Sequence, residues 1–245
     1  VIDWRFWSAL PALLPQALHV RATAQRLGPA EGPSAGLIDG NGAPLRLLLV
    51  GDSIIAGIGV PRLTQALPGQ LAAALAECSG RPVEWQASGR GGDNARQVQA
   101  VLQAQLTARA ALDIVVISVG VNDVTGLTSR RRWRAQIEAI HATLADRARL
   151  SVHLGLPPLE RFPALPAGLR RSFGHRARVL DRIAAEQAGR VPGRLHLPMQ
   201  VMPAAHQFAS DGFHPNAEGC ALWARDVALR IRAAMPELLA DSGSA

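Results

Sequence analysis

Lysine and tyrosine are absent from this 245-residue sequence. Every one of its 26 basic side chains is therefore an arginine, a bias that, with the abundant Ala and Gly, reads as GC-rich coding and not as chemistry. Without lysine there is no Walker-type phosphate loop. Cysteine occurs twice, at Cys78 and Cys220, which excludes a disulfide framework; neither has a metal-type neighbour, so both are expected as buried free thiols. No zinc-finger spacing, H-x-H or H-E-x-x-H is found, and basic and aromatic residues do not interleave as a base-stacking platform requires. Neither a metal, a cofactor nor a nucleic-acid partner is expected.

What is present is an ordinary globular composition: 48% apolar and 18% charged, with a formal net charge of +7. Such a charge suits nucleic acid or an anionic surface, but the arginines are dispersed. The densest run, "SRRRWR" at Ser129–Arg134, opens a predicted helix. It reads as a solvated helix face, with an anion-binding patch as the alternative.

Two parts are distinguished along the chain. Residues 1–44 comprise an apolar stretch, "FWSALPALLPQALHV" (Phe6–Val20), and a Gly/Pro-rich linker from Arg26 to Pro44. Phe6–Val20 is too short to span a bilayer and is interrupted by two prolines. An amphipathic helix packed on the body is the expectation; a trimmed export signal or a membrane anchor is the alternative. The compartment accordingly reads as cytoplasmic, or as periplasmic or membrane-associated if that alternative holds.

From residue 45 to 245, short apolar runs alternate with longer amphipathic ones. Strands are predicted at Leu45–Val50, Pro82–Gln86, Asp113–Val119, Leu150–Leu156 and Arg194–Leu197. Helices are predicted near Arg62–Cys78, Asp93–Ala108, Ser129–Arg147, Leu169–Gln187 and Ala217–Ala234. Five strands separated by helices imply an α/β fold with a parallel sheet covered on both faces. In such sheets ligands bind beyond the carboxyl ends of the strands.

The polar residues at those ends form a set. The first strand runs into Gly51-Asp52-Ser53, the second into "ASGRGGDN" (Ala87–Asn94) and the third into "GVND" (Gly120–Asp123); "SDGFHPNAEG" (Ser210–Gly219) follows the fifth. Taken singly, each is ordinary turn or cap chemistry. Together they supply a hydroxyl nucleophile, an imidazole base, a carboxylate to orient it and donors for an oxyanion. Asp211 and His214 are three residues apart, so one tight turn brings them together.

These blocks resemble those of the SGNH, or GDSL-type, hydrolase superfamily of esterases and lipases. The name-giving residues fall on Ser53 in "GDSIIAG", Gly89 in "SGRGG", Asn122 in "GVND" and His214 in "DGFHP". The resemblance covers about Leu45 to Ala234. It implies a flavodoxin-like three-layer αβα sandwich, a Ser53–His214–Asp211 triad, and an oxyanion hole from the N–H groups of Ser53 and Gly89 and the Asn122 amide. Gly91 and Gly92 stand as alternatives to Gly89, because the asparagine usual two residues earlier is Ala87 here. Asp52 reads as an acceptor for loop N–H groups, and Gly57 and Gly59 as sites of close backbone approach.

Several competing assignments are weaker. "GPSAG" (Gly32–Gly36) fits a nucleophile elbow, but Ser34 lies in the linker with neither strand nor helix around it. His206 is the rival base, and His196, His206 and His214 a conceivable zinc set. His19, His141 and His153 read as packed or surface residues. "SGRGGDN" before a helix also fits a phosphate cradle, which keeps a non-enzymatic ligand-binding module as the second class. The expected substrate is a small-molecule ester of a short acyl chain, because Pro157–Ala167 is the longest insertion expected beyond a strand end and promises only a shallow site. Longer-chain lipase, thioesterase and carbohydrate deacetylase activities are the alternatives; the oligomeric state is not specified.

Overall fold

The structure is a computed structural model and describes residues 4–107, 111–200 and 202–239. The end of the predicted helix at Ala108 and the final residues of the expected domain, 240–245, lie outside these. Six strands form one sheet: β1 (Ala35–Ile38), β2 (Leu45–Gly51), β3 (Val83–Gly89), β4 (Leu112–Ser118), β5 (Ala148–Leu154) and β6 (Arg194–Leu197). Their order is β1-β3-β2-β4-β5-β6. The five predicted strands are β2–β6, all mutually parallel.

The sixth strand corrects the expected count. β1 arises within the Gly/Pro-rich stretch and pairs antiparallel with β3, Ala35 opposite Gln86 and Ile38 opposite Val83. It lacks the continuous apolar run of a central strand because it is an edge, alternating exposed and half-buried positions.

β2 (LRLLLVG) and β4 (LDIVVIS) are buried on both faces, as the central strands of a covered parallel sheet must be. On one face Leu47, Leu49, Trp85 and Val116 pack beneath α2 (Leu67–Ser79) and α7 (Ala217–Ala234). On the other, Leu48, Val50, Val115 and Ile117 are covered by α3 (Ala95–Thr107), α5 (Arg130–Leu144) and α6 (Ala167–Ala188). Local signals set the helix limits. Gly80, left-handed at φ 72°, closes α2, and the Ser129 and Asn216 side chains accept the N–H groups of Arg132 and Gly219 to start α5 and α7. Arg131 and Arg132 are exposed, and Trp133 beside them is buried with its indole N–H donating to Leu180 O at 2.8 Å.

The apolar amino-terminal stretch is α1 (Trp4–Thr23), a helix that packs on α6 through the buried Leu13 and the half-buried Ala17 and Val20. Among the described residues no helix is long and apolar enough to cross a membrane. Both cysteines are free; Cys220 is buried and its thiol is pushed up to about 12 by desolvation, whereas Cys78 is only half-buried.

Two further features place the site. A five-residue helix, α4 (Val121–Thr125), follows β4 directly and starts at Gly120, whose φ of 129° turns the chain sharply. The longest connection after a strand is also not the expected one: it runs from 198 to 216 between β6 and α7, against 155–166 between β5 and α6. Both segments wall the cavity described next. The chain ends its described part in the short helix α8 (Pro236–Leu239).

Candidate active site

Beyond the carboxyl ends of β2, β4 and β5 lies a cavity of about 600 Å³, its open mouth included. Ser53 and His214 both line it. The walls are otherwise mostly apolar, and include Leu156, Phe162, Met202, Phe208, Phe213 and Trp223.

Ser53 is presented by a turn that begins as β2 stops. Asp52, 2% exposed beneath it, accepts the Ile54 N–H at 3.3 Å and the Ser118 hydroxyl at 3.4 Å, while its own N–H donates to Ser118 O. It is thus the loop acceptor that the sequence suggested. Burial dominates its ionisation, and despite those hydrogen bonds the carboxyl is raised to about 7. Gly51 leaves no room for a side chain, since a Cβ there would lie 2.3 Å from Ser118 O. Among the described residues no acceptor is bonded to the Ser53 N–H.

His214 arrives from the far end of the chain. Its Nδ1 lies 2.6 Å from Asp211 Oδ2, and Asp211 Oδ1 accepts the N–H groups of Phe213 and His214. Burial alone would raise the Asp211 carboxyl; the ring and backbone hydrogen bonds outweigh it and hold the group below its usual range. Gly59 docks the nucleophile loop on this segment. At φ 104°, a Cβ there would meet Pro215 O at 2.8 Å and His214 Cβ at 2.9 Å.

Gly89 ends β3 and Asn122 lies in α4, just past β4; β3 and β4 flank β2. A Cβ on Gly89 would lie 2.3 Å from Ala56 N and 2.5 Å from Ile55 C, so only glycine lets β3 end against the Ser53 loop. Arg90 N–H donates to Gly51 O, so the Gly89 N–H is left out of the ladder with β2. Gly91 would meet only the flexible Ile58 side chain and Gly92 nothing within 4 Å, so the close approach belongs to Gly89. One hydrogen of the Asn122 amide is held by Asp93 O at 2.9 Å, leaving the other to donate. Neighbouring Asp123, fully buried, accepts from Ala95 N–H and the Thr128 hydroxyl and so ties α4 to the start of α3.

The rival residues are placed elsewhere. His206 is exposed and faces Glu218 at 3.5 Å, and His196 pairs with Asp181 at 2.9 Å. The three histidines of the conceivable zinc set therefore each have a different carboxylate partner, and among the described residues no group of three metal-ligating side chains converges. Ser34 leads into β1, with no helix after it. Sequence reasoning missed Phe162, Phe208, Phe213 and two of the methionines, Met199 and Met202, as cavity wall. Their only signal was an apolar cluster inside otherwise aperiodic loops.

A model of the GDSL-like Lipase/Acylhydrolase family matches residues 49–222. The chain is 28% identical over 246 residues to the GDSL-like esterase Rv1075c of Mycobacterium tuberculosis, across 93% of this chain and 78% of that protein. In fold it is similar to the aryl esterase of M. smegmatis, with a TM-score of 0.61 at 18% identity, covering 78% of this chain and 99% of that one. It is likewise similar to Est24, a carbohydrate acetylesterase from Sinorhizobium meliloti, with a TM-score of 0.59 at 18% identity over 77% and 99% of the two chains. The α/β sheet that carries Ser53 and His214 to one cavity is thus a shared frame, and the chain is an ester-hydrolysing enzyme belonging to the GDSL-like lipase/acylhydrolase family.

Proposed function

We propose that the chain hydrolyses short-chain carboxylic esters through an acyl-enzyme on Ser53. The observation that carries this is the convergence of Ser53 and the Asp211-bonded His214 on one apolar cavity. His214 takes the Ser53 proton through Nε2 as Oγ attacks the ester carbonyl. Asp211, bonded to Nδ1, fixes the tautomer and stabilises the imidazolium. The N–H groups of Ser53 and Gly89 and the free hydrogen of the Asn122 amide receive the oxyanion. The carbonyl then re-forms as the C–O bond to the alcohol breaks, and His214 returns its proton to the departing alcohol. Water, deprotonated by His214, releases the acid and restores Ser53.

A short acyl chain follows from the wall. Phe162 meets Phe208 and Phe213 edge-on, with ring centroids 5.8 and 5.0 Å apart, so no alkyl chain passes between them. Once a chain reaches these rings, further methylenes stay in water and add almost nothing, against about 0.8 kcal/mol for each one buried. The acetylesterase named among the structural relatives supports the same reading.

The test is a p-nitrophenyl ester series from acetyl to decanoyl, with fluorophosphonate labelling. Expected are a kcat/KM maximum between acetyl and butyryl, labelling of Ser53 alone, and background turnover in a folded Ser53→Ala variant. An optimum at octanoyl or beyond removes the short-chain reading, and full activity in Ser53→Ala removes the nucleophile.

A further inference from the structure

Helix α1 is apolar on two sides. Its inner side is accounted for: Leu13 is 8% exposed, and a Cβ on Gly168 at the start of α6 would meet Leu13 and Gln16 at 2.9 Å. Its outer side should then be polar, as on a surface helix of a water-soluble body. Instead Pro11, Leu14, Pro15 and Leu18 face outward at the i, i+3, i+4, i+7 spacing of a single stripe, with Leu14 53% and Leu18 59% exposed.

Between Asp3 and Glu31 the sequence is basic. From Trp4 to Ala30 the chain carries Arg5, Arg21, Arg26 and His19 but no Asp or Glu. Arg26 is exposed just beyond α1, and Arg171 is exposed on α6, the helix on which α1 rests. An exposed apolar stripe on a segment whose charges between Asp3 and Glu31 are all basic, with Arg26 and Arg171 exposed, is complementary to the headgroup layer of an anionic bilayer, where leucines enter the acyl boundary and arginines meet phosphates.

We propose that α1 is an interfacial docking helix, which lays Leu14 and Leu18 on an anionic lipid surface. The contact also has a position relative to the ester site. Gly168, beneath α1, lies two residues past the 155–166 segment, in which Phe162 lines the cavity and Ala164 N–H donates to Gly212 O, between Asp211 and His214. The backbone under α1 is thus continuous with the segment that supplies one wall of the cavity.

The experiment is co-sedimentation of the full chain with phosphatidylcholine vesicles that contain or lack 50% phosphatidylglycerol, at low salt and at 0.5 M salt. Binding is expected on the anionic vesicles, weaker at high salt because exposed charges are screened. Leu14→Ser/Leu18→Ser should weaken it by about 10-fold or more, since the apolar contact is lost. Arg26→Glu/Arg171→Glu should weaken it and flatten its salt dependence. Turnover of soluble p-nitrophenyl acetate should stay unchanged in both pairs, with circular dichroism reporting the fold. If the serine pair misfolds, Leu14→Gln/Leu18→Gln serves in its place. Absence of binding to anionic vesicles overturns the proposal, as does binding that the leucine changes leave intact. A wild-type dimer in analytical ultracentrifugation that those changes dissociate also overturns it, by assigning the stripe to a second copy of the chain.

Discussion

His214 Nδ1 lies 2.6 Å from Asp211 Oδ2, while the other oxygen of that carboxylate is spent on the backbone of the same turn, at 2.9 Å to Phe213 N and 3.0 Å to His214 N. One side chain thus shapes the loop and aims the imidazole. Asp211→Asn keeps the size but can present an N–H to Nδ1, which inverts the tautomer. The expected result is a fall in kcat of about 10²- to 10⁴-fold with KM little changed, the loss lying in the transition state. His214→Ala should lower kcat at least as far. Steady-state kinetics on p-nitrophenyl acetate decide, and an active His214→Ala with an inactive His206→Ala would reassign the base.

The glycine block offers a graded test. Gly89→Ala forces a methyl against the backbone at Ala56 and Ile55, where neither neighbour can move without shifting the Ser53 loop. A loss of about 1–3 kcal/mol, with a fall in kcat, is expected from such overpacking. Gly91→Ala meets only the end of Ile58 and should be mild. Gly92→Ala has space, but at φ 88° it costs about 1–2 kcal/mol of backbone strain. Thermal melts and kcat for the three variants give the ranking; an inert Gly89→Ala would move the oxyanion donor elsewhere.

Phe162 closes the cavity against two other rings. Phe162→Ala should lengthen the preferred acyl chain, each newly buried methylene adding about 0.8 kcal/mol, or roughly 4-fold in kcat/KM. It should also lower Tm, because removing a buried phenyl costs about 3–5 kcal/mol. An unchanged chain-length profile would show that acyl groups lie along a different wall.

Away from the site, His141 and His153 stand in a row with His196 behind β5 and β6, their ring centroids 6.3 and 5.9 Å apart. Neither nitrogen of His141 or His153 has a hydrogen-bond partner among the described residues. The groups facing them are Trp133 from α5, Arg194 and His196 from β6, and Asp181 of α6, paired with His196. Burial, with Arg194 and His196 adding to it, lowers His141 to about 4, and burial lowers His153 as well. The folded state therefore binds fewer protons than the unfolded one below pH 6.5, and stability falls as pH drops from there toward 4. His141 alone accounts for about 3 kcal/mol across that window. His141→Phe should melt higher than the wild type at pH 4.5 by a wider margin than at pH 7.5. Equal margins would show that His141 gains no proton on unfolding.

Asp52 has the opposite slope. Its folded carboxyl is raised to about 7 from an ordinary 3.8, so its contribution is present at low pH and is lost as pH rises through 7. Asp52→Asn should gain stability relative to wild type between pH 5 and pH 8. The difference in Tm between these two pH values is the measurement, and a difference of zero would mean that Asp52 titrates alike in both states.

The polar blocks could be read because each is short and local, and three of them lie at or just past the end of a strand that hydrophobic runs reveal. Asp211 and His214 need no tertiary information to meet, only a turn. The apolar wall was not legible. Phe162, Phe208 and Phe213 come from two different loops with no period, and their contact is a property of the fold. The row of histidines was hidden for a related reason: His141 sits on a helix and His153 on a strand, so each looks like a lone histidine in an apolar run. β1 escaped because a four-residue edge, AGLI, carries neither a polar/apolar alternation in its residue types nor the apolar run of its neighbours, although its burial alternates.

That small strand has a bearing on whether the sheet can recruit a second molecule along its edge. β3 is a long, regular strand whose outer side would otherwise offer a row of free amides and carbonyls to any extended chain nearby. β1 caps that row with a strand of only four residues that includes Gly36, and it runs in the opposite direction. A shortened chain starting at the first central strand would keep Ser53, His214 and the whole cavity, yet its sheet would be left ready to recruit another molecule. Such a trimmed esterase should turn over substrate when fresh and be lost to association on standing.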